Sequence, residues 1–359
     1  MDIAHFANLV RKNMKLPDFF ALDIGNHSIK VAEVDRRSAQ KADLVGFGSI
    51  TTPFGVLKSQ DDQAKLQIAS KIKEVLDNSD IKAKKCVAAL PESSIFTRLL
   101  TVPKVNEEKL EELIFWEARQ YIPLPLSEVQ TDYIPVEEIE VNGKQMMKIL
   151  LVASPKVLID RYVDIAKKAE IELIALETET IATSRAVTFK YELEKAIMIL
   201  DFGANGTDMS VVKQGKMIFS QSIGTGSDAL TKAIANDFNL EMAQAEKYKI
   251  AYGLNKAEAD AKIYNSIQPI VQIIQEEIQR TISFFRNHLQ GSVPEKLLLV
   301  GDGAKLKSLD SYLTEKLGLK AELYDSSSKL NIAKKLRDEV KPMSLIGYSV
   351  AIGLGLKVK

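Results

Sequence analysis

Two aspartates define the chemistry this chain could perform. Asp23 closes the apolar run FFALD and leads into Ile24-Gly25 and a small polar turn, and Asp201 closes IMILD and leads into Phe202-Gly203. The two lie 178 positions apart, about half of the 359-residue chain. A carboxylate at such a strand end suits a hydrated Mg²⁺, which prefers carboxylate oxygens and keeps several waters. The glycines let the backbone bend and aim its amides at an anion. Gly25 would present Asn26, His27 and Ser28 in the first turn, and the second repeats the offer with Gly203, Asn205, Gly206 and Thr207. A third turn, KLLLVGDGAKLKSL, follows a strand and opens a helix. That arrangement suits a nucleotide's base and sugar, or a phosphate at a helix N-terminus. Singly, each is an ordinary β-turn. In this order and spacing they read as a nucleotide cradle, although none is a Walker A sequence and no G-x-G-x-x-G opens a βαβ unit.

These turns need strands to hold them. After Pro17 the chain reads FALDIG, SIKVAEVD and ADLVGFGSI, three short strands in a meander, followed by the helical QAKLQIASKIKEVLDN with Leu66, Ile68, Ile72, Val75 and Leu76 as its apolar stripe. The second half repeats the meander with AIMILDFG, DMSVV and MIFSQSIG, its tight KQGK turn carrying Gly215. A duplicated unit would leave a cleft between two lobes, a common place for a ligand. Residues 85–170 read differently, as strands and two helices, with Pro123 and Pro125 stopping the first helix: a compact α+β module inserted into the first lobe. Residues 227–289 read as nearly all helical. Ile267, Ile270, Ile274, Ile278, Ile282 and Phe285 there fall at three- and four-residue steps, as a core stripe does.

Composition narrows the function classes. Lys+Arg and Asp+Glu both total 48, so the balance argues against nucleic acid as the main partner. The single cysteine, Cys86, sits in the apolar run CVAAL and reads as a buried structural thiol, in keeping with a reducing compartment. The three histidines, His5, His27 and His288, are scattered, without metal-ligand spacing. No apolar run approaches the ~20 residues of a membrane span. The first 17 residues lack the apolar segment of a signal peptide and read as a leader. A cytoplasmic location is expected.

LDIGNHSIKVAEV, LDFGANGTDMSVV and LLLVGDGAKLKSL resemble the first phosphate, second phosphate and adenosine motifs of the actin-like ATPase superfamily, which includes FtsA, MreB, sugar kinases and DnaK-type chaperones. More narrowly, EARQYIPLPLSEVQTDY, ALETETIATSRAV and EEIQRTISFFRNH resemble the PilM family of type IV pilus assembly proteins, from about Phe19 to Leu356. The resemblance implies an α/β actin-like ATPase fold of two RNase H-like lobes, with an FtsA-type 1C insertion in the first and a helical insertion in the second. The implied parts are a leader at 1–17, subdomain 1A at 18–84 and 171–195, 1C at 85–170, 2A at 196–226 and 290–359 with its end free to return to 1A, and 2B at 227–289. It also implies ATP or ADP with Mg²⁺. Asp23 and Asp201 are then the metal-side carboxylates. Gly25, Asn26, His27, Ser28 and Lys30 fall on the first loop, with His27 where a small residue is usual. Gly203, Asn205, Gly206 and Thr207 fall on the second. Gly301, Gly303 and Ala304 match the adenosine turn, where Asp302 replaces the more usual glycine. AEKYK points to Glu246 and Lys249 at the ribose.

In LETETIATS the resemblance makes Glu177 the candidate for orienting water, with Glu179 as substitute; the family's usual Glu-Pro is absent at Thr178, so slow hydrolysis at most is expected. The function implied is a nucleotide-binding adaptor, peripheral to the inner membrane through partners in pilus or related type II secretion assembly. The partner implied is the cytoplasmic N-terminal tail of PilN, alongside other pilus assembly proteins. The residues themselves point to the inserted module and its seam with the first lobe as the receptor, through short strand edges and the aromatic Phe115, Trp116 and Tyr121 beside the QYIPLPL turn. An FtsA-like polymerising scaffold and a divergent phosphotransferase are the alternatives, and homo-oligomerisation is left open.

Overall fold

An antiparallel meander opens the described chain: β1 (Phe20–Ile24), β2 (Ser28–Ser38) and β3 (Lys41–Thr51). The computed structural model describes residues 18–357 apart from 39, 58, 60, 192, 193, 289–292 and 341–344, so the expected leader at 1–17 lies outside the described residues. Helix α1 (Asp62–Asn78) starts where Asp61 caps it, the carboxylate accepting from the amide of Ala64 at 2.6 Å. Next come β4 (Lys85–Leu90), β5 (Phe96–Pro103), α2 (Glu107–Tyr121), β6 (Val129–Val141), β7 (Lys144–Pro155), α3 (Lys156–Lys168), β8 (Glu172–Thr178) and α4 (Glu179–Thr188). The second meander is β9 (Ile197–Phe202), β10 (Thr207–Lys213) and β11 (Lys216–Ile223), followed by helices α5 (Ser227–Phe238), α6 (Met242–Tyr252) and α7 (Lys262–His288). The chain continues through β12 (Lys296–Val300), α8 (Leu309–Leu317), β13 (Lys320–Leu323), β14 (Asn331–Ile332) and α9 (Ser349–Gly355).

Among the described residues the strands form three sheets, ordered β14-β3-β2-β1-β4-β8, β11-β10-β9-β12-β13 and β5-β7-β6. The first two share one plan: an antiparallel meander whose first strand pairs in parallel with a later one, β1 with β4 and β9 with β12. Both first strands are sandwiched between layers, so FALDI is buried throughout and IMILDF almost so. Separate apolar clusters on the two faces of the first sheet divide its residues by alternation: Phe20, Leu22 and Ile24 to one side, Phe19 and Ala21 to the other. The helical region packs against the second sheet through α7, whose Ile267, Ile274, Ile278 and Phe285 are buried as the stripe predicts. In α1 the stripe is narrower than expected, because Leu66 turns outward and is 47% exposed.

Sheet pairing corrects the limits of the inserted module. β4 lies between β1 and β8 in the first sheet, and Tyr162, Ile165 and Ala166 of α3 pack in the same cluster as α1. The excursion therefore covers about residues 91–155 rather than 85–170. It has its own core, made by Leu110, Ile114, Ala118 and Ile122 of α2 and its end against the sheet, while Phe115 and Trp116 face outward, 50% and 53% exposed. Its other face is not independent: Val136 and Leu150 join the apolar cluster of the second sheet, with Leu99 and Ile134 packed beside them. Lys216 on β11 donates to the carbonyl of Val136. At the far end of the chain, α9 packs on α4, β1 and β2, and β14 pairs with β3, so both lie with the first sheet. Cys86 is buried in β4, where burial pushes its thiol up, as expected of a structural thiol.

Candidate functional site

The two Asp-Gly turns are built alike. The amide of Gly25 donates to the carbonyl of Ser28 at 3.1 Å, and that of Gly203 to the carbonyl of Gly206 at 3.0 Å. Other carbonyls are occupied from behind. In the first turn Thr52 donates its hydroxyl to Gly25 O at 2.7 Å and its amide to His27 O at 3.0 Å. In the second, the first amides of α5, from Ser227 and Asp228, donate to Gly203 O and Ala204 O at 3.0 and 2.9 Å. With its carbonyls so occupied, each turn offers less repulsion to an anion than a free loop would. The third turn demands glycine outright: Gly301 holds φ +85°, and a Cβ at Gly303 would meet the carbonyl of Phe202 at 2.6 Å.

All three turns line one cavity of about 940 Å³. Asp23, Gly25, Asn26, His27, Ser28 and Lys30 line it from the first lobe, and Asp201, Gly203, Asn205 and Gly206 from the second. Gly301, Asp302 and Gly303 form another part of the wall, with Glu246 and Lys249 on α6 close by. Lys249 is 5% exposed and donates to Ser227 Oγ at 2.5 Å and Thr231 Oγ1 at 2.9 Å, besides pairing with Glu246 at 2.7 Å. It thus ties α6 to the base of the second turn. Thr207 and Ala304 stand behind the wall, fully buried; Thr207 donates to the carbonyl of Thr225 at 2.7 Å.

Glu177 is outside the cavity. Its carboxylate pairs with Arg185 at 2.6 Å and Lys357 at 2.9 Å. Burial alone would raise it, but these two cations hold it down at about 2. Glu179 lines the cavity instead, because the change from strand to helix at Thr178 turns its side chain to the cleft. Of the two glutamates named for orienting water, Glu177 thus stands away from the cavity and Glu179 on its wall.

Asp208, absent from the sequence reading, also lines the cavity. It lies directly across from Asp201 in the β9–β10 pair, as Lys30 lies across from Asp23 in β1–β2. The equivalent position therefore carries a cation in one lobe and an anion in the other, and the seven-residue step from each motif aspartate was the available signal. Lys30 reaches across the cleft to Asp302 at 2.6 Å and to the carbonyl of Gly347 at 2.7 Å. Burial would raise Asp302, but Lys30 and then Lys305 hold it at about 2. Four carboxylates, Asp23, Asp201, Asp208 and Glu179, are pushed the opposite way. Burial raises Asp23 and Asp201 to about 6, against the pull of Lys30, and Asp208 to about 7. Glu179 is raised well above its usual range by burial and by the charges of Asp208 and Asp23.

Such an excess of buried negative charge fits a divalent cation. Among the described residues, no group of three or more carboxylate, histidine or cysteine side chains is placed to hold a metal ion. A cation here would need oxygens from a ligand and from water, as Mg²⁺ on a polyphosphate has.

Two lobes of matching sheet order around a cleft lined by paired Asp-Gly turns define an actin-like fold. Cell division protein FtsA of Streptococcus pneumoniae is 20% identical over 347 residues, covering 85% of this chain and 75% of that one. The structure of MreB5 of Spiroplasma citri bound to ADP superposes with a TM-score of 0.53 at 14% identity, covering 93% of this chain and 94% of that one. More specifically, residues 21–359 match the family described as type IV pilus assembly protein PilM, and the chain belongs to that family. A solved PilM-PilN type IV pilus biogenesis complex contains a chain similar to this one, with a TM-score of 0.81 and 26% identity over 95% of this chain and 98% of that one. Among the described residues no helix is long and apolar enough to cross a membrane.

Proposed function

We propose that the protein is a cytoplasmic nucleotide-binding adaptor of type IV pilus assembly that reaches the inner membrane through a PilN-like tail. The observation that carries the nucleotide part is the pair of equivalent Asp-Gly turns, with carbonyls held from behind, facing one cavity with buried carboxylates. Asp23 and Asp201 would face the Mg²⁺ of bound ATP or ADP through its waters, the turn amides the phosphates, and Glu246, Lys249 and the Gly301–Gly303 turn the nucleoside. Bound Mg²⁺ would supply charge neutralisation at the phosphates. Glu179 takes the water-orienting role expected of Glu177, and turnover is slow. The first sheet with its helices serves as subdomain 1A, residues 91–155 as 1C, the second sheet as 2A and α5–α7 as 2B. The partner reading is supported by the complex with PilN in which the similar chain was solved. The tail is received by the 91–155 module, which has β5 and β6 as sheet edges and an exposed Phe115–Trp116 pair.

Calorimetry tests the cleft. The folded protein is expected to bind ATP with Mg²⁺, and Asp201→Ala to weaken binding by removing a carboxylate from the metal side. Gly303→Val should weaken it as well, since the added side chain strikes Phe202. Absence of heat with both ATP and ADP, for a protein shown to be folded, defeats the assignment.

A further inference from the structure

Glu92 is a carboxylate buried where three parts of the molecule meet, 4% exposed and outside the cavity wall. It follows Pro91 on the short link between β4 of the first sheet and β5 of the third. Its Oε2 accepts from Thr180 Oγ1 on α4 at 2.6 Å. Its Oε1 accepts from Ser220 Oγ on β11 at 2.6 Å and from Thr97 Oγ1 on β5 at 3.4 Å. Its backbone amide donates to Glu179 Oε2, in the cleft, at 3.0 Å. One residue therefore touches a helix of the first lobe, the edge strand of the second sheet, the third sheet and a cleft carboxylate.

A buried carboxylate is costly unless its oxygens are hydrogen-bonded, and packing alone would be served as well by an apolar side chain. Here three hydroxyls satisfy it, and each belongs to a different element. The tie is also short. Only Ser93, Ser94 and Ile95 separate Glu92 from β5, and β5 is paired with β7 along its whole length from Phe96 to Pro103. A displacement at Glu92 has little slack in which to die out. We propose that Glu92 is a positioning residue: it holds Glu179 in the cleft and passes the movement of Glu179 on ligand binding to β5 and the three-stranded module. The inference rests on the reading that the cleft takes a nucleotide with Mg²⁺.

Hydrogen exchange on the whole chain, with and without Mg²⁺ and the non-hydrolysable ATP analogue AMPPNP, tests it. In the wild-type protein exchange should slow in the cleft loops at 23–28 and 201–207 and change in 92–103. In Glu92→Ala the loops remain protected and the response at 92–103 is lost. Glu92→Gln restores it, because hydroxyls donate or accept and can bond an amide in the same place. A purely structural role predicts no such selective loss and rescue. Should Glu92→Ala fail to fold, the double variant Thr97→Val, Ser220→Ala leaves the Glu179 bond intact and is expected to lose the same response. The inference is overturned if 92–103 does not respond in the wild type, or responds equally in a folded variant. Unprotected loops in the wild type overturn the nucleotide reading as well, which is a separate and recognisable result.

Discussion

Glu177 and Glu179 stand two positions apart and meet opposite fates. Glu177 is clamped by Arg185 and Lys357, so its loss leaves two cations without their carboxylate. A shift from 4.5 to about 2 corresponds to about 3 kcal/mol. Glu177→Gln is therefore expected to destabilise the fold by about that amount at neutral pH, in the usual range for breaking one side of a buried pair. The folded-state value is depressed, so this contribution is full above the unfolded value near 4.5 and fades as pH falls toward 2. Denaturant titrations of both proteins should show the gap closing across that window, with nucleotide affinity at neutral pH unchanged. A loss of nucleotide affinity without loss of stability would return Glu177 to the cleft. The sequence carried the motif aspartates plainly, because strand, Asp, x, Gly and turn are contiguous. It could not choose between the two glutamates: that choice depends on where β8 ends and α4 begins, and a one-residue change there alters which side chain faces the cleft. Glu92 was invisible for a stronger reason, since its four partners come from positions 97, 179, 180 and 220.

Helix α2 shows what periodicity does and does not say. Its inner face, with Leu110, Ile114 and Ala118, is the module's core, whereas Phe115 and Trp116 meet edge to face on the outside. Ile114→Ala should cost roughly 2–5 kcal/mol, as truncations of a buried aliphatic do. Trp116→Ala should change stability by no more than about 0.5 kcal/mol yet weaken binding of a PilN tail peptide. The chain has a single tryptophan, so its fluorescence reads the same event directly. Emission typical of an exposed indole should shift to the blue when the peptide is added. Tight peptide binding with no change in emission and no effect of Trp116→Ala would move the receptor off this face. The helix itself and its proline stop were legible from local pattern. The extent of the module was not, because β4 reads as a strand in isolation and only its parallel neighbours, β1 and β8, assign it to the first sheet.

At the scale of the whole molecule, the duplicated plan was legible as two similar meanders half a chain apart, and the cleft followed from it. What the meanders could not reveal is how the remaining pieces are shared: Val136 and Leu150 of the inserted module complete the core of the second lobe. The return of α9 to the first sheet has a consequence for biosynthesis. Phe19, Ala21 and Ala32 share their apolar layer with Ile352, Leu354 and Leu356, and Arg36 donates to the carbonyl of Leu356, 320 positions away. A chain emerging from the ribosome N-terminus first offers β1 and β2 early, yet the apolar layer on one side of their sheet, part of which α4 supplies through Ala182, Ala186 and Phe189, is complete only once residue 356 is made. The second sheet draws its five strands from 197–323 and can close sooner. Domains that depend on distant segments fold late and expose apolar surface meanwhile. Ribosome-bound chains arrested with residues 1–340 outside the exit tunnel should therefore resist protease across the second sheet and be cut within 18–90, and extending the emerged chain past 356 should abolish those cuts. During synthesis, the sheet whose first strands are made earliest is thus the one completed last.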